Sequence, residues 1–99
     1  MAKETKPLLV FFSSQRSGPA RRMESLLAHL ARKERRRLLV RSVDVEASPE
    51  LVERFKIETV PTLLLVKDKR VVARLAGRAS APKIERMLDG YLETERTPA

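Results

Sequence analysis

The 99-residue chain offers few side chains for covalent chemistry, because it contains no cysteine and only one histidine. A chain without thiols forms no disulfide, has no thiolate nucleophile and cannot hold a metal through sulfur. The single histidine, His29, has no cysteine or second histidine with which to share a metal. We therefore predict no metal site, and a solvated surface position for His29.

Oxygen-bearing residues at two places remain as candidates for catalysis or cation binding. Ser17 could attack a substrate only with a base beside it, and His29 lies about three turns further along the predicted helix that starts near Ser17. Asp44 and Glu46 alternate at the end of a predicted strand, without a third carboxylate or a histidine to complete a Mg²⁺ site. The sequence favours helix capping by Ser17 and a solvated strand end for the two acids.

A further candidate is a four-residue segment at a predicted helix start, Ser17-Gly18-Pro19-Ala20. Free backbone N–H groups at a helix start can bind a phosphate or a carboxylate. The guanidinium groups of three neighbouring arginines would add bidentate donors: Arg16, Arg21 and Arg22. Proline removes one of those N–H groups, and every helix needs a capped start, so the segment is also explained by structure alone.

The formal net charge of +8 is concentrated in one part of the chain. Residues 16–41 contain nine basic and two acidic residues, a net +7. The predicted basic patch in this window consists of Arg21, Arg22, Arg32, Lys33, Arg35, Arg36 and Arg37. It lacks the interleaved aromatic residues typical of single-strand nucleic-acid binding. The sequence favours a solvated helix end that complements the helix dipole, with polyanion binding as the alternative.

The elements that must position these residues follow from hydrophobic periodicity. Pro7 to Phe12 is a continuous apolar run typical of a strand buried on both faces. A helix follows, opened by Ser17 and Pro19, with apolar residues at helical spacing: Met23, Leu26, Leu27 and Leu30. Leu38 to Asp44 is predicted to form the second strand.

The second half of the chain continues the pattern. Ser48 and Pro49 open a short helix that is predicted to bury Leu51, Val52 and Phe55. Two apolar runs, Thr62 to Val66 and Val71 to Ala76, are separated by four polar residues and predict a hairpin. Ser80 caps a last helix with apolar residues at Ile84, Met87, Leu88 and Tyr91.

The order β-α-β-α-β-β-α predicts an α/β protein with a mixed four-stranded sheet and three helices. Strands that are apolar on both faces must be covered on both sides, so we expect a three-layer α/β/α sandwich. One domain is expected over residues 7–92, with flexible ends at 1–6 and 93–99. The longest apolar run near the start is too short for a signal peptide or a membrane span, so we expect a cytoplasmic protein without a membrane partner.

Three segments in this order resemble the thioredoxin family over about residues 7–92. The first is VFFSSQRSGPARRM, which is similar to the family's strand, loop and active-site helix start, with Ser17 to Ala20 in place of Cys-Gly-Pro-Cys. The second is VDVEASPELVERFKIETVPTLLLVKDKRVV, in which Val60-Pro61-Thr62 falls where the family has a cis-proline. The third is Leu75-Ala76-Gly77 before the last helix. The resemblance implies a thioredoxin-like fold without its additional N-terminal strand and helix, and a cis Val60–Pro61 bond.

The departures from that family pattern bear on function. Ser17 and Ala20 stand at the positions that match the redox cysteines, and neither can exchange disulfides. The family's tryptophan before the first cysteine corresponds to Arg16, and its buried acid to Phe11. Because the chain has no thiol, we expect a protein that is not a disulfide oxidoreductase, and we expect no cofactor.

The family's groove between the active-site loop and the cis-proline loop is the predicted binding site. Beside the Ser17–Ala20 motif, its expected lining consists of Gln15, Arg16, Thr59, Val60 and Pro61. Thr59 and Val60 are expected to pair main chain to main chain with an extended peptide. Because Arg16 is cationic, the expected partner is an acidic protein or peptide. RNA or DNA binding by the basic patch is the alternative.

Overall fold

The computed structural model describes residues 6–92. Its elements are β1 (Leu8–Ser13), α1 (Gly18–Lys33), β2 (Leu39–Asp44), α2 (Pro49–Arg54), β3 (Thr62–Lys67), β4 (Arg70–Ala76) and α3 (Ala81–Asp89). The predicted element order is thus confirmed. The ends that we expect to be flexible lie outside the described residues, except for Lys6.

The four strands form one mixed sheet in the order β2-β1-β3-β4. β1 runs parallel to β2 and antiparallel to β3, and β3 and β4 form an antiparallel hairpin. The parallel β1–β2 pair requires a crossover, which α1 provides. The sheet is open, with β2 and β4 as its edge strands and β1 and β3 as its central strands.

Both faces of the sheet are covered, as the apolar strands predicted. On one face, Leu9, Phe11, Leu63 and Leu65 pack with residues of α1 and α3 in the larger core. On the other face, Phe12 and Leu64 pack with the residues of α2 and the loop after it. The molecule is the three-layer sandwich expected from the sequence, and its β1 and β3 are the most buried strands because both are central.

The structure differs from the sequence expectation at α2. Leu51, Val52 and Phe55 are only half-buried, and no residue within the helix is fully buried. Ser48 stands at the N-cap position without a side-chain capping hydrogen bond. A six-residue helix covers one part of its sheet face, so its apolar residues retain contact with solvent.

The C-terminal end of α2 is stabilised by two backbone hydrogen bonds. Lys56 has a φ of 55°, and its N–H donates to the Glu53 carbonyl while the Ile57 N–H donates to the Val52 carbonyl. This pair of bonds is the Schellman motif, which usually places glycine at the left-handed position. Ile57 and Val52 also share the smaller core, as the motif's hydrophobic contact requires.

The connection between β3 and β4 is a tight hairpin, as the spacing of the two apolar runs predicts. The strands extend to Lys67 and Arg70, leaving only Asp68 and Lys69 between them, at φ values of 54° and 68°. Positive φ at both central residues is the type I′ arrangement, which matches the twist of the flanking strands. A side chain at these positions costs conformational energy that glycine does not pay.

We expect Lys69→Gly to raise the free energy of unfolding by about 0.5–1 kcal/mol, because glycine adopts positive φ without steric strain. Urea denaturation measures the change. The matched control is Lys83→Gly, which makes the same substitution in the first turn of α3 and should lower the free energy of unfolding by about 0.5–1 kcal/mol. Destabilisation by both substitutions would contradict the assigned strain at Lys69.

Candidate functional site

The loop after β1 and the segment before β3 leave the two central strands at the same end of the sheet. Phe12 is paired with Thr62, so the loop that follows β1 and the residues that precede Thr62 start next to each other. The Val60–Pro61 peptide bond in the second segment is cis, as the resemblance implied. The register therefore brings together the two segments predicted to form a binding groove.

The predicted motif residues form the capped start of α1. Ser17 is the N-cap: its Oγ accepts from the Ala20 N–H at 3.1 Å, and its carbonyl accepts from the Arg21 N–H at 3.0 Å. Pro19 has no N–H, so Gly18 carries the remaining free donor of the first turn. This arrangement leaves little of the helix start for an anion and confirms the structural role predicted for Ser17.

Removing the cap should cost stability. We expect Ser17→Ala to lower the free energy of unfolding by about 1 kcal/mol, because the Ala20 N–H loses its acceptor. Ser17→Asp keeps an acceptor at the N-cap and should remain near the parent value. The measurement is urea denaturation of the two variants side by side, and an Ala variant as stable as the Asp variant would argue against capping.

Arg16 lies beside this helix start and is held by a small polar network. Its side chain is 87% exposed, and its Nε lies 3.4 Å from Glu46 Oε2. Ser14, which is buried, donates from Oγ to the same carboxylate oxygen at 3.2 Å and accepts from the Arg16 N–H at 3.1 Å. The other guanidinium N–H groups have no partner among residues 6–92 and face solvent.

This network contains two residues that the sequence did not single out for the site. Glu46 follows β2 and was assigned to a solvated strand end, while Ser14 lies in the loop between β1 and Ser17. The parallel pairing of β1 with β2 places the two loops side by side, with Ser13 opposite Asp44. No local motif joins positions 32 residues apart, so only the sheet register could reveal this contact.

The cis-proline segment offers a limited set of main-chain groups. The Thr62 hydroxyl donates to the Thr59 carbonyl, and the Gly77 N–H donates to the Pro61 carbonyl at 2.7 Å. Within residues 6–92 the N–H and carbonyl of Val60 have no hydrogen-bond partner. Main-chain pairing at this segment is thus available at Val60, whereas the Thr59 carbonyl is already engaged.

Two positions, those that match the family's second redox cysteine and its buried acid, carry apolar, buried side chains. Phe11 is 1% exposed and Ala20 is fully buried, and both belong to the larger core. Phe11 has no group that could transfer a proton. Beneath the helix start lies hydrocarbon packing, so polar chemistry is confined to the surface residues around it.

The basic window is divided by the length of α1. A helix of 16 residues is about 24 Å long, so Arg21 and Arg22 stand at one end while Arg32 and Lys33 stand at the other, followed by residues 35–37. Lys33 pairs with Glu85 at 3.5 Å. Arg37 is bound by Glu34 through Nη2 at 2.7 Å. The predicted basic patch is therefore two smaller groups of cations.

Other predicted features fall on the surface. His29 is exposed and lines a cleft between α1 and α3 beside the Lys33–Glu85 pair. Among residues 6–92 there is no cluster of three or more potential metal-binding side chains. No helix in that range is both long enough and apolar enough to cross a bilayer.

Comparison with known proteins identifies this arrangement. The element order, the cis-proline and the helix that starts after β1 define a thioredoxin fold. The thioredoxin family model matches residues 1–90. Thioredoxin-1 of Drosophila melanogaster is 33% identical over 87 residues, which cover 88% of this chain and 80% of that protein. A thioredoxin-like protein of Synechocystis is 32% identical, covering 91% of this chain and 83% of its own length.

Solved structures agree with the sequence matches. The crystal structure of the germline-specific thioredoxin Deadhead from Drosophila melanogaster superposes with a TM-score of 0.81 at 32% identity, covering 87% of this chain and 81% of that one. Thioredoxin-2 of the malaria parasite gives a TM-score of 0.83 at 17% identity, over 91% of this chain and 87% of that one, and shows the same fold. The chain belongs to the thioredoxin family, and it contains no cysteine.

Proposed function

We propose that this protein is a redox-inactive member of its family that binds an extended, acidic segment of a partner protein. The proposed site is the groove between the Ser17–Ala20 helix start and the cis-proline segment. The observation that carries the proposal is that the unpaired main-chain groups of Val60 lie at the same end of the sheet as the exposed guanidinium of Arg16. The main-chain groups would pair with the peptide backbone, and Arg16 would bind an acidic side chain.

The absence of thiols supports the redox part of the proposal. Disulfide exchange requires a thiolate, and the matching positions are occupied by Ser17, whose side chain ends in a hydroxyl, and Ala20, whose side chain is a methyl group. Membership of the thioredoxin family supports this location, because the proposed groove lies between the segments that match the family's active-site loop and cis-proline loop. The proposed function is therefore to bind a peptide without thiol–disulfide exchange.

Polyanion binding is the second candidate. Arg32, Arg35 and Arg36 are exposed at the far end of α1, and none has an ion-pair partner within residues 6–92. Several such arginines would neutralise phosphates, and affinity would then fall by orders of magnitude between about 50 and about 200 mM salt. Binding in the groove should depend less on salt, because main-chain hydrogen bonds join neutral groups and Arg16 is the one cation proposed to pair with the peptide.

The two candidates are separated by an affinity-capture experiment on a lysate of the source organism. The baits are the parent protein, Arg16→Glu and the triple variant Arg35→Glu/Arg36→Glu/Arg37→Glu. Loss of one defined protein with Arg16→Glu alone would support the groove. Loss of nuclease-sensitive material with the triple variant alone would support polyanion binding. The same bound material with all three baits would contradict both.

Glu46 provides a matched control for the charge of Arg16. We expect Glu46→Gln to strengthen binding of the captured partner, because the carboxylate that competes for the guanidinium is removed. Arg16→Glu should weaken binding, by about tenfold, since an attraction becomes a repulsion at a partly desolvated contact. Fluorescence anisotropy with a labelled peptide of the partner measures both. Changes in the same direction would exclude direct recognition by Arg16.

A further inference from the structure

The outer edge of β2 carries main-chain groups that nothing in the described chain occupies. The Leu39 N–H donates to the Pro7 carbonyl and the Val45 N–H to the Ser13 carbonyl, so odd-numbered residues of this strand face β1. By the alternation of a strand, Val40 and Ser42 direct their N–H and carbonyl groups outward. The N–H of Asp44 also points outward, while its carbonyl accepts from Ala47 and Ser48.

The other edge of the sheet is protected. β4 is interrupted by a bulge where β3 passes from Leu65 to Val66, and the Tyr91 hydroxyl donates to the Val72 carbonyl at 3.2 Å. Bulges and covered edges are the devices by which proteins prevent strand addition. β2 has a regular register over all six residues and no such covering group within residues 6–92. Strand addition is thus possible at β2 and blocked at β4.

The side chains of β2 define what an added strand would need. On the α2 face of the sheet the strand presents Leu39, Arg41 and Val43 in sequence. Leu39 is 43% exposed, Arg41 is exposed and Val43 is half-buried. Opposite residues of neighbouring strands share a face, so the complementary strand has an apolar residue, an acid and an apolar residue at alternate positions. This pattern is the same whether the added strand runs parallel or antiparallel.

The charges favour a foreign partner over a second copy of this chain. Arg41 has no ion-pair partner among the described residues, and Arg35 and Arg36 stand exposed close before the start of β2. A second copy would bring the same cations to the same edge, and the whole chain has a net charge of +8. Acidic residues of a partner would instead be attracted to Arg41.

We propose that the β2 edge is an interaction surface for an extended, acidic segment of a partner protein with the pattern apolar–x–acid–x–apolar. The segment would pair its main chain with Val40, Ser42 and Asp44 and place its acid opposite Arg41. This surface is separate from the groove at Arg16 and does not depend on the function proposed for it.

The direct test is amide hydrogen exchange by NMR with the blocked peptide Ser-Val-Thr-Glu-Thr-Val-Ser. We expect slower exchange at the outward amides of Val40, Ser42 and Asp44 when the peptide is added. The inward amides of Arg41 and Val43 should be protected with and without peptide, because they already bond to β1. This alternation distinguishes strand addition from adsorption to a charged surface.

Two variants test the contacts. Ser42→Pro removes an outward N–H that the β1–β2 ladder does not use, and should weaken peptide binding at least tenfold. A peptide with Lys in place of Glu should bind the parent about two- to thirtyfold more weakly, and should regain affinity for Arg41→Glu. Arg86→Glu, which makes the same charge change on the exposed surface of α3, serves as the control and should leave peptide binding unchanged.

Alternating protection together with the charge-swap rescue would establish the proposal. Binding without alternating protection, no binding, or equal affinity for the Glu and Lys peptides would overturn it. Sedimentation velocity of the protein without peptide measures whether it forms a dimer. A dimer whose outward β2 amides are protected without peptide would show that a second copy occupies the edge, and would also overturn the proposal.

Discussion

Phe11→Ala is expected to lower the free energy of unfolding by about 3–5 kcal/mol, a large part of the stability of a domain this size. Phe11 is 1% exposed and packs in the larger core between the sheet and α1 and α3. Truncation removes buried hydrocarbon and leaves a cavity that neighbouring strands cannot fill. Urea denaturation followed by circular dichroism measures the loss.

The control is Leu39→Ala, a similar truncation at a side chain that is 43% exposed. It should cost less than about 1 kcal/mol, because little buried surface is lost. Equal losses for the two variants would contradict the assignment of Phe11 to the core. Such a result would also remove the structural reason for an apolar residue at the position that matches the family's buried acid.

The double variant Ser17→Cys/Ala20→Cys is expected to gain disulfide-reductase activity, and the parent chain, which contains no cysteine, is expected to show none. The N-cap and the third residue of a helix lie on one side of its first turn, and a helix N-terminus stabilises a thiolate. Reduction of insulin by the double variant, with dithiothreitol as reductant, should exceed the rate without protein. The parent chain should match that blank.

The gain should be incomplete, because Phe11 cannot transfer a proton. General acid–base catalysis contributes about 10²–10⁴-fold, so we expect turnover at least about a hundredfold below that of Drosophila melanogaster thioredoxin-1 under the same conditions. Ser17→Cys alone and Ala20→Cys alone are the controls and should show no sustained turnover, since one thiol cannot resolve a mixed disulfide. Activity in the parent protein would contradict its redox inactivity.

The sequence was sufficient for the elements with strong periodicity. The apolar run from Pro7 to Phe12 is typical of a buried central strand, and the spacing of Met23, Leu27 and Leu30 is typical of a helix with one buried face. The hairpin followed from two apolar runs with a polar break between them. Each of these predictions uses residues that are close together in sequence, so it can be made without knowing the tertiary contacts.

The contacts that define the site were beyond local reasoning. Glu46 meets Arg16 only because two parallel strands end side by side, and the Thr59 carbonyl is engaged only because the Thr62 hydroxyl folds back to it. The basic window also looked continuous in sequence, yet α1 separates its two ends. Basic residues that share one window of the sequence are therefore far apart in space when a long helix lies between them.

Site-specific photocrosslinking tests the proposed groove most directly. Benzoylphenylalanine would be introduced at Thr59, beside the free main chain of Val60, and separately at Arg36, at the far end of α1. Both side chains are exposed, so the substitutions should leave the fold intact. Each protein is irradiated in a lysate of the source organism, and crosslinked peptides are identified by mass spectrometry.

We expect a crosslink from position 59 to an acidic segment of one protein, insensitive to nuclease and lost when Arg16→Glu is added. Crosslinks only from position 36, or only to nucleic acid, would contradict binding in the groove.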